Sequence, residues 1–312
     1  MQDKDHDHRS TSTLLAYLQL LRLPNVFTAM ADVAMGFIFV RGVVGLSAAG
    51  FVELALLLVA SSSLYLAGMV LNDCFDYETD RQERSGRPLP SGRIAKTTAA
   101  RLGWGLLICG PIIASAAAYS LGSPRPILVA IALAVCILLY DGILKRSPLG
   151  PLAMGGCRML NVLLGMSATG SAWAAENWLV AAGIGVYIAG LTFFARSESH
   201  RSDRRCLSVG IIVMMLGIVL LAQLPTYIWL TMPPSRWHLF MTLLGALIAW
   251  QALRAVINPG PRCVQIAVKQ SILSLVMLDA AVVLGVAGPI PAVAVLALLI
   301  PTVVLGRWVY ST

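Results

Sequence analysis

Residues 51–80 read FVELALLLVASSSLYLAGMVLNDCFDYETD. From Phe51 to Leu71 the stretch is almost wholly apolar. It then turns acidic without a break, at Asn72, Asp73, Asp76, Glu78 and Asp80. Crossing a bilayer core takes about 20 residues at about 1.5 Å each. The stretch therefore predicts a membrane-length helix whose end carries a cluster of oxygen ligands.

Working outward, the same apolar length recurs along the chain. Candidate spans lie at 14–40, 51–72, 98–119, 126–142, 151–171, 178–195, 207–225, 236–256, 266–286 and 289–308. The fourth is short, and only Gly288-Pro289 separates the last two, so the count is nine or ten. Composition agrees: 58% of the 312 residues are hydrophobic and 12% are charged. A soluble domain carries about 25% charged residues. The expected fold is all-α, a polytopic bundle of nine to ten transmembrane helices. Residues 14–312 form its single membrane domain, after a polar tail over 1–13.

Charge predicts orientation. Of the 23 Lys and Arg, all but Arg41, Arg125 and Arg236 fall on the side of the N-terminus and of the connections after spans two, four, six and eight. By the positive-inside rule that side is cytoplasmic. The net charge of +8 is then topological. A nucleic-acid role is excluded, because the basic residues scatter over several loops. The tail, with His6-Asp7-His8, reads as solvated chain and not as a signal peptide. The pattern predicts an inner (plasma) membrane protein of bacterial type. Six scattered cysteines, without C-x-x-C, predict neither disulfides nor a zinc site.

Within the acidic segment, Asn72, Asp76 and Asp80 are spaced i, i+4, i+8, one face of a helix. Asp73 sits beside them. Like charges at this spacing repel, and more strongly near a membrane. A cation offsets that cost, and hard oxygen ligands suit Mg²⁺. The chain then turns basic at Arg81, Arg84, Arg87, Arg93 and Lys96, around Pro88 and Pro90, which rule out one continuous helix. Guanidinium groups bind phosphate bidentately. Carboxylates followed by arginines are what a metal–diphosphate needs.

N-D-x-x-D-x-x-x-D followed by R-P-L-P-S-G-R-I resembles the first aspartate-rich motif of the UbiA superfamily of intramembrane prenyltransferases. Arg22-Leu23-Pro24-Asn25 resembles the family's opening R-x-x-N, and Tyr140 to Lys145-Arg146 its Y-x-x-x-x-K-R. The resemblance implies an all-helical fold and transfer of a prenyl group from an allylic diphosphate to an aromatic or other lipophilic acceptor. It implies that Asn72, Asp76 and Asp80 hold Mg²⁺–diphosphate, with Arg87 at the basic position after the motif. The family's second motif, D-x-x-x-D, is degenerate here. Glu198 takes its first position, Ser202 its second, and Asp203 is displaced by one residue. That displacement turns a helical side chain by about 100°.

Polar residues inside spans complete the expected site. Arg158 and Asn161 lie at i, i+3 in the fifth span, and Asn25 and Asp32 at i, i+7 in the first. A buried arginine needs a polar cavity or a partner, so Arg158 is expected to line the phosphate cavity. Asp32 is a candidate to accept the acceptor's proton, and His200 a candidate base. Asp279 is an intramembrane acid with either an internal partner or a functional role. Expected for catalysis are Asp76, Asp80 and Arg158. Expected for substrate binding are Asn25, Asn72, Asp73, Arg87, Arg93, Lys145, Asn161 and Glu198. Expected metal ligands are Asn72, Asp76, Asp80, Glu198 and Asp203. Partners are an isoprenyl diphosphate, a lipophilic acceptor and membrane lipids. Rival readings are a glycosyl- or phosphoribosyl-type transferase acting on a polyprenyl phosphate, and a non-catalytic isoprenoid-binding or transport protein.

Overall fold

The structure is a computed structural model that describes residues 13–196 and 203–309. Its helices are α1 (13–20), α2 (Val26–Arg41), α3 (Ala48–Phe75), α4 (Tyr77–Glu83), α5 (Lys96–Leu121), α6 (Arg125–Gly142) and α7 (Gly150–Met166). They continue as α8 (Ala175–Ala195), α9 (Arg204–Ala222), α10 (Pro234–Ile257), α11 (Pro261–Ala287), α12 (Pro289–Leu296) and α13 (Leu299–Trp308). No strand occurs among the described residues. Nine segments among them are long and apolar enough to cross a membrane. With 17 residues, α7 is shorter, yet it runs between the same two ends of the bundle. Outward-facing Ile108, Ile112, Ile212, Leu216, Leu243 and Ile290 leave an apolar surface that water would not tolerate as a continuous belt.

Chain punctuation explains the helix ends. Ser47 caps α3 by accepting from the Gly50 amide. Prolines open α10, α11 and α12, where a missing N–H costs nothing. The first predicted span, 14–40, is not one helix. It breaks at Arg22, which takes a left-handed conformation (φ 46°), followed by a short 3₁₀ turn over Leu23–Asn25 that carries Pro24. Proline cannot continue the hydrogen-bond ladder of α1, and the break turns Arg22 toward α3. The last predicted span is likewise two pieces, α12 and α13.

Close packing positions the interior. α2 and α7 cross at Gly36 and Gly165. A methyl at Gly36 would strike the Val162 carbonyl, and one at Gly165 would strike that of Val33. Backbones approach this closely only where both residues are small. The crossing brings Asp32 on α2 opposite Arg158 and Asn161 on α7. Among the tryptophans near the outer span ends, Trp229 is exposed and Trp178 partly so. Trp173 packs edge-on against Trp178. Trp237 is instead fully buried and donates to the Ala222 carbonyl, a core residue and not an interface anchor. Its indole N–H finds its partner inside the bundle.

Candidate functional site

The loops at one end of the bundle converge on the α3–α4 junction. The backbone ladder continues across it: Asp76 N–H donates to the Asn72 carbonyl (3.0 Å), and Asp80 N–H to that of Asp76 (2.8 Å). The i, i+4, i+8 register therefore survives the slight break at Asp76. Asn72, Asp76 and Asp80 all face one cavity of about 570 Å³. Asp73 lies beside it, buried.

Asp73, Asp76 and Asp80 each meet a basic side chain. Arg22 reaches Asp73 at 3.0 Å. Arg87 pairs with Asp80 at 2.7 Å and lies 3.6 Å from Asp73. Lys145 Nζ donates to Asn72 Oδ1 at 2.6 Å and also to Asp76 Oδ2. Arg146 lies 3.5 Å from the other oxygen of Asp76. Two oxygens spaced one helical turn apart thus already share one cation, the Lys145 ammonium. The donor set is all oxygen, hard, and built to hold positive charge.

Below the mouth the walls turn apolar, with Leu133, Ile137, Met154, Ile188, Leu191 and Ile272. The floor is polar again. Arg158 donates to Asp32 Oδ2 (2.8 Å) and Thr28 Oγ1 (2.9 Å), and its guanidinium lies 5.6 Å from the Tyr65 ring. Asn161 Nδ2 donates to the same Asp32 oxygen and to the Ala29 carbonyl, each at 2.9 Å. Ser61 donates to Asn161 Oδ1 at 2.6 Å. Arg158 is eight residues into α7, so the floor lies about 12 Å below the loop end. Mouth and floor are separate layers, joined by an apolar shaft.

Of the residues expected from sequence, Asn25, Asn72, Asp76, Asp80, Arg87, Lys145, Arg158 and Asn161 line this one cavity. Arg93 does not. It turns back to Gln19 (3.0 Å), Ser91 (3.1 Å) and the Gly86 carbonyl (2.8 Å), and so fixes the loop. Asp203 caps α9, accepting from the Arg205 amide at 3.0 Å, and does not line the cavity. Glu198, His200 and the tail histidines lie outside the described residues. Ser61 and Tyr65 were missed by the sequence reading, as was Thr28. Two of them sit in the apolar run of α3 one turn apart, at the spacing that shares a face with Asn72.

The comparisons agree with this architecture. The profile of the UbiA prenyltransferase family matches residues 33–263. A digeranylgeranylglyceryl phosphate synthase of Ignicoccus hospitalis is 31% identical over 170 residues, 54% of this chain and 51% of the synthase. The same enzyme of Saccharolobus solfataricus is 29% identical over 172 residues, 54% of this chain and 55% of its own length. The matched stretches thus span about half of these relatives. Among solved structures, a UbiA homologue of Archaeoglobus fulgidus bound to GPP and Mg²⁺ superposes with TM-score 0.61 at 14% identity, covering 90% of this chain and 99% of its own. A digeranylgeranylglyceryl phosphate synthase structure gives TM-score 0.63 at 20% identity, covering 88% and 98%. At these identities the structures speak for the fold, while the profile match covers most of the sequence. The chain belongs to the UbiA prenyltransferase family.

Proposed function

We propose that this protein transfers a prenyl group from an allylic isoprenyl diphosphate to a lipophilic acceptor within the membrane, with Mg²⁺ as cofactor. The observation that carries the reading is the mouth: Asn72 and Asp76 converge on one cation, with Arg22, Arg87 and Arg146 beside them. Asn72, Asp76 and Asp80 would hold the metal. Bound Mg²⁺ would stabilise negative charge on the leaving diphosphate.

The chain's own groups do the rest. Arg146 exchanges its carboxylate partner for phosphate oxygens, and Arg87, held by Asp80, adds its guanidinium charge beside them. Lys145, which donates to Asn72 and Asp76, would leave those oxygens to hold the metal and bring its ammonium to the diphosphate. The prenyl tail lies along Leu133, Ile137 and Ile188, which keep water from the cation-like allylic carbon. Arg158, with N–H groups beyond those given to Asp32 and Thr28, faces the polar head of the acceptor at the floor.

Basic residues at the mouth end, with Arg41, Arg125 and Arg236 at the other, support a cytoplasmic mouth and N-terminus. The names of the relatives make a glyceryl phosphate lipid the first acceptor to assay. The test is diphosphate release by protein reconstituted in liposomes, with geranylgeranyl diphosphate as donor and a panel of lipophilic acceptors. Release that needs both Mg²⁺ and an acceptor is expected. Its absence with every donor and acceptor, in folded protein, would overturn the reading.

A further inference from the structure

Asp279 lies in the middle of α11, with no solvent exposure. α11 packs along α2 and sets the Asp279 carboxyl against that of Asp32, close enough to share a hydrogen bond. Leu275, one turn before Asp279, and Ala29, nearly one turn before Asp32, line the cavity. The two acids therefore sit just beneath its floor. The charged side chain that faces both is Arg158.

Donors are unevenly shared. Asp32 Oδ2 accepts from Arg158 and from Asn161. Asp32 Oδ1 and both oxygens of Asp279 are buried and meet no donor. Were both acids ionised, three oxygens would stay unsatisfied and two negative charges would face one guanidinium. Both faults are costly in a low-dielectric interior. Two carboxylates in contact do not both ionise.

One proton removes the charge fault and cuts the unsatisfied oxygens from three to one, an uncharged Asp279 carbonyl. It supplies the missing donor between the two carboxyls, and it leaves the pair with a single negative charge opposite the single positive charge of Arg158. We infer that Asp32 and Asp279 hold one proton between them, and that Asp279, acting through Asp32, positions Arg158 in the cavity floor. Asp279 is thus a positioning residue. It touches no substrate. It fixes the Asp32 carboxyl, whose other oxygen holds the guanidinium and the Asn161 amide. The neutral set also leaves the floor with hydrogen bonds but no net charge.

The proton itself stands apart from the prenyl-transfer reading, on which only the turnover measurement below rests. Infrared spectroscopy of the full chain in lipid tests it directly. The wild type should show a carboxylic-acid C=O stretch that disappears in Asp279→Asn and in Asp32→Asn. Asn at 279 keeps the shape and donates a permanent N–H to Asp32 Oδ1. An unchanged acid band in Asp279→Asn would overturn the inference, whatever the activity. In the turnover assay Asp279→Asn should stay within about threefold of wild type, and Asp279→Ala, which strips the donor, should fall about tenfold or more. Wild-type turnover by folded Asp279→Ala would overturn the positioning role. Should Asp279→Ala fail to fold, the infrared comparison of Asp279→Asn still decides. A wild type without turnover would sink the prenyl-transfer reading and leave the infrared result standing.

Discussion

Mouth and floor of the cavity both pair acids with bases, but they do so in different solvents. At the mouth, Arg146 is 71% exposed and Lys145 27%, and Asp76 shares its oxygens between them. At the floor, Asp32 has no exposure and Arg158 only 12%. Exposed ion pairs contribute about 0–1 kcal/mol, so their partners exchange at little cost. Removing one member of a buried pair costs about 3–5 kcal/mol, because the other charge is stranded. The Asp76 cluster with Lys145 and Arg146 is thus arranged to trade carboxylate for phosphate, whereas the Arg87–Asp80 pair, 11% and 7% exposed, and the floor are held in place. One cavity holds a replaceable set of charges and a fixed one.

The sharpest way to break this contrast is at the floor. Arg158→Ala should destabilise the bundle by about 3–5 kcal/mol, seen as a lower unfolding midpoint in detergent. Asp76→Ala should do the opposite. Stability should change by less than about 1 kcal/mol, while turnover falls at least about 100-fold. A third variant, Arg87→Ala, should raise KM for the donor about tenfold, the loss of charge-assisted contacts to diphosphate. Arg93→Ala should be the mildest. Its guanidinium ties the loop and does not face the cavity, so KM should move less than about twofold. A large donor KM effect at Arg93 would show that the loop turns inward when substrate binds, and would blur the distinction drawn here.

Much of the mouth was legible in the sequence, and little of the floor. Asn72, Asp76 and Asp80 are neighbours on one helix, so helical spacing alone put them on one face, and they do line one cavity. The basic partners came from a different signal, the clustering of charge at loop positions. Arg93 shows the limit of that signal: composition marks a loop as basic without saying which arginine turns in. Asp203 shows another, since an aspartate just before a helix serves as its cap. The floor depends on contacts between distant helices. Ser61 meets Asn161, and Asp32 meets both Arg158 and Asp279, across the α2, α3, α7 and α11 packing. No local period encodes such meetings. Arg158, Asp32 and Asp279 stood out only because charge inside a span needs a reason. The break at Arg22 was hidden because Pro24 sits near the start of an apolar run, where it reads equally as a helix opening.

The acidic face at the mouth is proposed to bind a metal–diphosphate. Isothermal titration of inorganic diphosphate into the detergent-purified chain, with and without Mg²⁺, tests it most directly. Saturable binding that requires Mg²⁺ and is lost in folded Asp76→Ala is expected. Equal binding without Mg²⁺, or undiminished binding by Asp76→Ala, would contradict it.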